Sequence, residues 1–120
     1  MRIHHIALRT RDLSRLQAFY VDALGLAVAR HSDAGVWLQA GDAVLMLERA
    51  DAAEPGVPAG SLELLAFAVE PGELPAFERR LAARGVAVEA RTSFTLYFRD
   101  PDGRRVGVSH YPRPAEPPSA

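Results

Sequence analysis

The sequence predicts an α+β fold made of two tandem βαβββ modules, and two observations carry this prediction. A strand-like segment, a helical segment and three more strand-like segments follow one another twice along the 120 residues. The same ungapped shift also aligns the two halves at both ends: "HIAL" (5–8) with "LLAF" (64–67), and "VLMLE" (44–48) with "GRRVG" (103–107). A single offset at both ends of a module indicates an internal duplication.

The first module is predicted from a strand, a capped helix and three short strands. The segment "IHHIALRT" (3–10) alternates as a strand with one face on a core does. Asp12 can cap a helix because its carboxylate accepts hydrogen bonds from free amides, and Gly25 can end that helix in the left-handed conformation. The helix has one apolar stripe, formed by Leu13, Leu16, Tyr20 and Leu24. Three strand-like runs follow: "LAVARHS", "GVWLQAG" and "AVLMLERA".

The second module repeats this order. We expect a strand in "LELLAFAVE" (62–70) and a helix in "ELPAFERRLAARG" (73–85), which Gly85 ends. Three further strands are predicted in "VAVEARTS", "FTLYFRD" and "RRVGVSHY". The last two are joined by "DPDG" (100–103), a tight turn in which proline presets φ and glycine supplies the positive φ.

These segments form one domain over residues 1–111. It consists of modules 1–50 and 62–111, joined by the loop "DAAEPGVPAGS" (51–61), which has two prolines, two glycines and no periodicity. After residue 111 the chain is rich in proline and poor in apolar residues, so we expect the tail 112–120 to be disordered.

The composition excludes several classes of function. A formal net charge of −1 gives no electrostatic case for binding nucleic acid or a membrane. The absence of cysteine and lysine excludes disulfides, thiolate metal sites and Schiff-base chemistry. The start of the chain lacks the apolar run of a signal peptide, and its hydrophobic runs are too short to span a bilayer. We therefore expect a cytoplasmic protein.

Three motifs occur in order along the duplicated chain: "HHIALRTRDL", "FYVDALGL" and "YFRDPDGRRV". Together they resemble the vicinal oxygen chelate superfamily, which includes glyoxalases, bleomycin-resistance proteins, extradiol dioxygenases and fosfomycin-resistance enzymes. The resemblance covers residues 3–111. It implies sheets that curl into a half-open mixed β-barrel around a cavity. Because modules in this family often pair between chains, we also expect a homodimer.

The resemblance implies metal ligands on the first and last strands of each module. His5 and Glu48 match two of these positions, whereas the other two are matched by Leu64 and Gly107, which cannot act as side-chain ligands. Strand alternation places His4 on the face opposite His5 and so offers no replacement. We expect no resident cofactor. A divalent metal held by His5, Glu48 and unrecognised donors stays an alternative.

A small-molecule ligand is the expected partner, bound in the cavity by residues of alternating strand positions. The candidate ligand-binding residues are His5, Arg9, Trp37, Met46, Glu48, Leu64, Arg105 and Gly107. Ala66 and Ser109 share the inward face of the second module, whereas Phe94, Tyr97 and Phe98 are assigned to the core. Arg9 is the expected partner of Glu48, because an unpaired buried carboxylate is costly. With Leu64 and Gly107, half of the wall is apolar and roomy, which suits a partly apolar ligand.

Three functions are compatible with these residues. The first is a small-molecule-binding protein with a degenerate metal site that works by sequestration. The second is a metal-dependent lyase, isomerase or dioxygenase that uses His5 and Glu48. The third is a dimerising module without a small ligand. The sequence identifies neither the ligand nor any catalytic residue, because pocket chemistry in this architecture depends on a few wall residues and loop lengths.

Overall fold

A computed structural model describes residues 1–115 of the chain and confirms the α+β fold. The chain divides into two compact units, Met1–Val57 and a second unit that begins at Pro58. Each unit holds one four-stranded mixed sheet and one α-helix. Within residues 1–115 no helix is long and apolar enough to cross a membrane. Part of the predicted disordered tail, residues 116–120, lies outside the described residues.

Unit 1 contains four strands and a helix whose last turns widen. Its elements are β1 (His5–Thr10), α1 (Leu13–Ala18), a π-helical turn (Phe19–Ala23), β2 (Ala27–His31), β3 (Gly35–Ala40) and β4 (Ala43–Arg49). Asp12 caps α1 as predicted, since its carboxylate accepts the amide of Arg15 at 3.1 Å. The strand order is β1-β4-β3-β2, with β1 parallel to β4 and the other pairs antiparallel.

Unit 2 has the same topology. Its elements are β5 (Leu64–Ala68), a 3-10 turn (Pro71–Glu73), α2 (Leu74–Ala83), β6 (Ala90–Arg91), β7 (Thr95–Arg99) and β8 (Arg105–Ser109), in the sheet order β5-β8-β7-β6. The strand predicted over "VAVEARTS" is wrong in extent, since β6 has only two residues. The reason is that the amide of Val86 donates to the carbonyl of Leu81, so this segment first closes the helix end.

Each sheet has one covered face and one open face. On the covered face, apolar side chains at alternate strand positions are buried together with apolar side chains of the helical segments. These residues are Leu16, Phe19, Tyr20, Val36, Leu38, Leu45 and Leu47 in unit 1, and Phe77, Leu81, Leu96, Phe98, Val106 and Val108 in unit 2. Most of the intervening positions are more accessible, as the pattern of β1 shows, where His5, Ala7 and Arg9 are exposed. Gly35, Thr95 and Gly107 are intervening positions that are buried. We call the sides that carry these intervening positions the open faces.

The strand pairing corrects the prediction of a single constant offset between the halves. In unit 1, Met46 pairs with Ala7 on one side and Trp37 on the other. In unit 2, Gly107 holds this position between Ala66 and Tyr97. The sequence separation between Trp37 and Tyr97 is therefore one residue longer than that between Ala7 and Ala66. The sequence separation between Met46 and Gly107 is one residue longer again.

The first of these two increases in separation arises between β5 and β7, and the second arises in the turn that precedes β8. This turn is longer than the corresponding turn of unit 1, and the carboxylate of Asp100 accepts the amides of Asp102 and Arg104 at 2.9 and 3.1 Å. As a result, the equivalent of Glu48 in unit 2 is Ser109, and the expectation that the duplication pairs Glu48 with Gly107 is wrong.

Candidate functional site

Five of the predicted site residues share the open face of unit 1: His5, Arg9, Trp37, Met46 and Glu48. Three rows cross this face in register, His5–Val44–Gln39, Ala7–Met46–Trp37 and Arg9–Glu48–Gly35. The guanidinium of Arg30 on β2 lies 5.3 Å from the centre of the Trp37 ring, a cation–π contact. The face is therefore polar at both ends and apolar in its middle row.

Arg9 pairs with Glu48 as predicted, with 3.5 Å between Nη1 and Oε1. It is held more strongly by Glu54, which lies in the loop after β4. Arg9 Nε donates to Glu54 Oε2 at 3.0 Å, and a second bond joins Nη2 to Oε1. Sequence reasoning missed Glu54, because a loop without periodicity does not reveal which side chain folds back on a strand.

Arg9 and Glu54 stabilise each other's charged forms. The hydrogen bond from Arg9, aided by the amide of Asp51, lowers the pKa of Glu54 from 4.5 to about 2. The same bond raises the pKa of Arg9 above its usual range. Arg11 also donates to the backbone carbonyls of Glu54 and Ala52. These contacts anchor the loop to β1.

The two neighbouring histidines lie side by side, contrary to the prediction that strand alternation separates them. The Nδ1 atoms of His4 and His5 are 2.8 Å apart, and both residues are exposed. His4 lies just before the first residue of β1, where its carbonyl accepts the amide of Val44 at 3.0 Å. One Nδ1 must carry a hydrogen and the other must accept it.

The register does not bring His5 and Glu48 together. His5 pairs with Val44, whereas Glu48 pairs with Arg9, four residues further along the strands. Four residues of strand span about 13 Å, while two ligands of one metal ion lie only about 4 Å apart. Among the described residues, no group of three or more His, Asp or Glu side chains could hold a metal ion. The residues therefore do not fit the metal that the resemblance implies.

The open face of unit 2 has a different character and forms a cleft of about 460 Å³. The cleft is lined by Leu64, Ala66, Thr92, Phe94, Thr95, Tyr97, Ser109 and Tyr111. Leu64 was predicted as a site residue, and Ala66 and Ser109 as inward-facing. The assignment of Phe94 and Tyr97 to the core is wrong, since both line the cleft, whereas Phe98 is fully buried.

Gly107 is paired in register with two of the lining residues, Ala66 and Tyr97, and we call the backbone of this row the floor of the cleft. A Cβ atom built on Gly107 would lie 3.6 Å from Ala66 Cβ and 3.5 Å from Thr95 Cγ2, both from cleft-lining residues. It would also lie 3.3 Å from the carbonyl oxygen of Leu96, which is a close contact. A larger side chain at this position would therefore occupy the cleft.

Hydroxyl groups at one end of the cleft are held by hydrogen bonds. Thr95 Oγ1 donates to Ser109 Oγ at 2.7 Å, and Ser109 Oγ also accepts the amide of Tyr111 at 3.2 Å. Phe94 packs edge-on against Tyr111, with 5.2 Å between ring centres. These contacts join the start of β7 to the end of β8 and place the aromatic rings at the cleft wall.

Arg105 stands at the other end and shares the face of Gly107, as predicted. It pairs in register with Leu64, and its guanidinium carbon lies 4.4 Å from the centre of the Tyr97 ring. Its Nε donates to Glu89 at 3.2 Å. Glu89 also accepts two hydrogen bonds from Arg99, at 3.1 and 2.8 Å, and these bonds lower the pKa of Glu89.

Comparisons with known proteins agree with this fold. The model of the Glyoxalase/Bleomycin resistance protein/Dioxygenase superfamily matches residues 2–108. A search of curated proteins gives no match. Lactoylglutathione lyase from Agrobacterium tumefaciens is 28% identical with a TM-score of 0.68, over 90% of this chain and 92% of its own.

Two further structures are more distant in sequence and support the fold alone. A glyoxalase/dioxygenase from Nostoc punctiforme is 22% identical with a TM-score of 0.75, over 89% of this chain and 88% of its own. The E126Q mutant of the fosfomycin resistance protein FosX from Listeria monocytogenes is 18% identical with a TM-score of 0.74, over 91% of this chain and 89% of its own. That protein was solved in complex with Mn(II) and 1S,2S-dihydroxypropylphosphonic acid.

Proposed function

Because the chain belongs to the Glyoxalase/Bleomycin resistance protein/Dioxygenase superfamily, we propose that it binds a small, partly apolar molecule in the cleft of unit 2 and sequesters it without a resident metal. One observation carries the proposal. At the position where unit 1 has Met46, unit 2 has Gly107, and both register partners of Gly107, Ala66 and Tyr97, line a cleft with aromatic and hydroxyl side chains.

The dimensions and chemistry of the cleft support a small ligand. Its volume of about 460 Å³ falls within the range of roughly 300 to 1,000 Å³ that is typical of small-molecule sites. Such sites combine apolar and aromatic walls with a few polar groups that orient the ligand. Leu64, Phe94 and Tyr97 supply the walls here, and Thr95 and Ser109 supply hydroxyl groups.

The distribution of carboxylates supports the absence of a resident metal. The resemblance implies one metal ligand on the last strand of each module. If Glu48 holds this position in unit 1, Ser109 holds it in unit 2. If Gly107 holds it in unit 2, Met46 holds it in unit 1. With either register, at most one of the two equivalent positions carries a carboxylate. The metal-dependent alternative would need further oxygen or nitrogen donors.

We also propose a homodimer. Leu62 and Leu64 are 72% and 44% exposed. Leu64 is the first residue of β5, an edge strand of its sheet, and Leu62 lies just before it. Apolar side chains beside a strand edge favour association. Sedimentation at several protein concentrations tests this: a mass of one chain at all concentrations would contradict the proposal. The cytoplasmic location stays a prediction.

Two experiments test the proposed function, and the first is a fragment screen. Neutral aromatic fragments are screened by ligand-observed NMR against the wild type, Ala66→Phe and Ala83→Phe. Ala66 lines the cleft and is exposed, so phenylalanine should fill the cleft without disturbing the core. Ala83 is exposed on α2 and provides a matched control. We expect binding to the wild type and to Ala83→Phe, and its loss in Ala66→Phe; equal binding to all three would contradict the proposal.

The second experiment addresses the metal by calorimetry. Nickel, cobalt, manganese, iron(II) and zinc are added to metal-free protein and to His5→Ala. We expect both proteins to bind each metal weakly. The affinity of His5→Ala should differ from that of the wild type only by the small contribution of one exposed imidazole. Stoichiometric binding tighter than about 1 μM, lost in His5→Ala, would establish the metal-dependent alternative instead.

A further inference from the structure

We infer that the ligand of the unit 2 cleft is a planar aromatic anion, such as an aryl carboxylate, whose ring lies over Gly107 and whose anionic group binds Arg105. This inference rests on the proposed function, because it names the chemical class that the same cleft would bind. It is carried by the shape of the floor, the aromatic walls and an arginine with free donors.

The floor selects a flat molecule. Ala66, Gly107 and Tyr97 lie side by side on three neighbouring strands, and the middle residue has no side chain. Neighbouring strands are separated by about 4.8 Å, so Ala66 and Tyr97 stand about 10 Å apart with bare backbone between them. This gap is wide enough for an aromatic ring system to lie flat. In unit 1 the equivalent gap between Ala7 and Trp37 is occupied by Met46.

The walls provide partners for an aromatic ring. Phe94, Tyr97 and Tyr111 all line the cleft. Phe94 and Tyr111 already pack edge-on at 5.2 Å between centres, so the pair presents a fixed corner. Aromatic rings favour edge-to-face and offset contacts at such distances, which add to the free energy of burial.

The charge comes from Arg105. Its Nε bonds to Glu89, but no hydrogen bond to either of its terminal nitrogens is found among residues 1–115. Arg99 and Arg105 share this one carboxylate, which leaves an excess positive charge. Arg99 uses its terminal nitrogens to bind Glu89 and the carbonyls of Ser61 and Gly103. Arg105 is therefore the guanidinium that can bind a further anion, and its planar fork suits a carboxylate.

The position of Arg105 links this charge to the cleft. Its register partner Leu64 and its ring partner Tyr97 are both cleft-lining residues. None of the eight lining residues is charged, so Arg105, which is bonded to Glu89 through Nε only, is the cation next to the cleft wall. A ring over Gly107 would thus have the hydroxyls of Thr95 and Ser109 at one end and the guanidinium of Arg105 at the other.

The experiment compares three probes that differ in charge: 1-naphthoate, neutral 1-naphthamide and 1-naphthylmethylammonium. Their dissociation constants are measured by calorimetry at low salt with the wild type, Arg105→Gln, Arg105→Lys and Arg91→Gln. Arg91 is exposed, pairs with Glu78 of α2, and has Leu96 of the covered face as its strand partner, so it is a matched control. Thermal unfolding of each variant checks its folding.

We expect the wild type to bind naphthoate about tenfold more tightly than the amide, and the amide more tightly than the ammonium probe. Arg105→Gln should remove the preference for naphthoate over the amide. Arg105→Lys should keep part of the preference, since it retains the charge without the fork. Arg91→Gln should bind all three probes as the wild type does.

Two results would overturn the inference. Equal binding of naphthoate and naphthamide by the wild type would show that charge plays no part, and a preference that persists in Arg105→Gln would place the anion elsewhere. If naphthamide still binds in either case and is lost in Ala66→Phe, the proposed function stands while the inference fails. If no probe binds, the inference is overturned, and the fragment screen decides the proposed function separately.

Discussion

Met46 and Gly107 occupy equivalent positions in the two sheets of this chain. Each lies at the centre of the last strand, between an alanine of the first strand and an aromatic residue of the third. The methionine fills this position in unit 1, and the glycine leaves it bare in unit 2. The two modules thus differ in whether a side chain stands at this position.

Filling the bare position should abolish ligand binding. In Gly107→Met the new side chain would lie between Ala66 and Thr95, on the floor of the cleft. We expect at least a tenfold loss of naphthamide affinity, measured by calorimetry. Because the Cβ atom approaches the carbonyl of Leu96, we also expect a loss of unfolding free energy on the order of 1 kcal/mol, measured in urea. Unchanged affinity in a folded variant would show that the ligand lies elsewhere.

Neighbouring aromatic residues of β7 should separate binding from stability. Phe98 is fully buried in the covered face, so Phe98→Ala should lower the free energy of unfolding by about 3 to 5 kcal/mol. Tyr97 lies on the open face and lines the cleft, so Tyr97→Ala should cost much less stability and weaken probe binding. Urea unfolding and calorimetry measure the two effects. Similar stability losses in the two variants would contradict the assignment of faces.

The Arg9–Glu54 pair should make stability depend on acidity. The folded protein lowers the pKa of Glu54 from 4.5 to about 2, so its contribution is complete above the unfolded value of 4.5 and is lost as the pH falls toward 2. Glu54→Gln should lower the urea midpoint at pH 7 and flatten the decline of the midpoint between pH 4.5 and 2. Asp33→Asn, at an exposed loop position, serves as the control for loss of one carboxylate. If the urea midpoints of the wild type and Glu54→Gln fall in parallel between pH 4.5 and 2, the Arg9–Glu54 ion pair is not the source of this pH dependence.

The cap of α1 should contribute measurably despite the short helix. Asp12→Ala removes the acceptor of the Arg15 amide and should lower the free energy of unfolding by about 1 kcal/mol. Asp12→Asn keeps an acceptor oxygen at the same place and should retain most of this stability. Urea unfolding compares the variants, and an equal loss in both would mean that the carboxylate acts by its charge and not as a cap.

Much of the fold could be predicted from local patterns. The order of strands and helices follows from alternation and apolar stripes, and both helices are followed by the predicted glycines, with φ values of 79° at Gly25 and 72° at Gly85. Arg105 and Gly107 lie two apart in β8 and so share a face, which alternation also predicts, whereas their part in ligand binding stays a prediction.

The register and the cleft wall could not be predicted in this way. The pairing of Ser109 with Thr95, and hence the equivalence of Ser109 with Glu48, depends on loop lengths, which an ungapped comparison of the halves ignores. Phe94 and Tyr111 meet although both strands of the β7–β8 hairpin separate them in the sequence. Glu54 lies in an aperiodic loop, and only the folded chain brings it to Arg9.

One measurement tests the central claim most directly: titration of 1-naphthamide into the protein with EDTA, with Mn(II), and in the variants Ala66→Phe and His5→Ala. We expect the same affinity in EDTA and in Mn(II), no change in His5→Ala, and loss of binding in Ala66→Phe. Binding that requires Mn(II) and disappears in His5→Ala would contradict the claim that this chain binds its ligand in the unit 2 cleft without a metal.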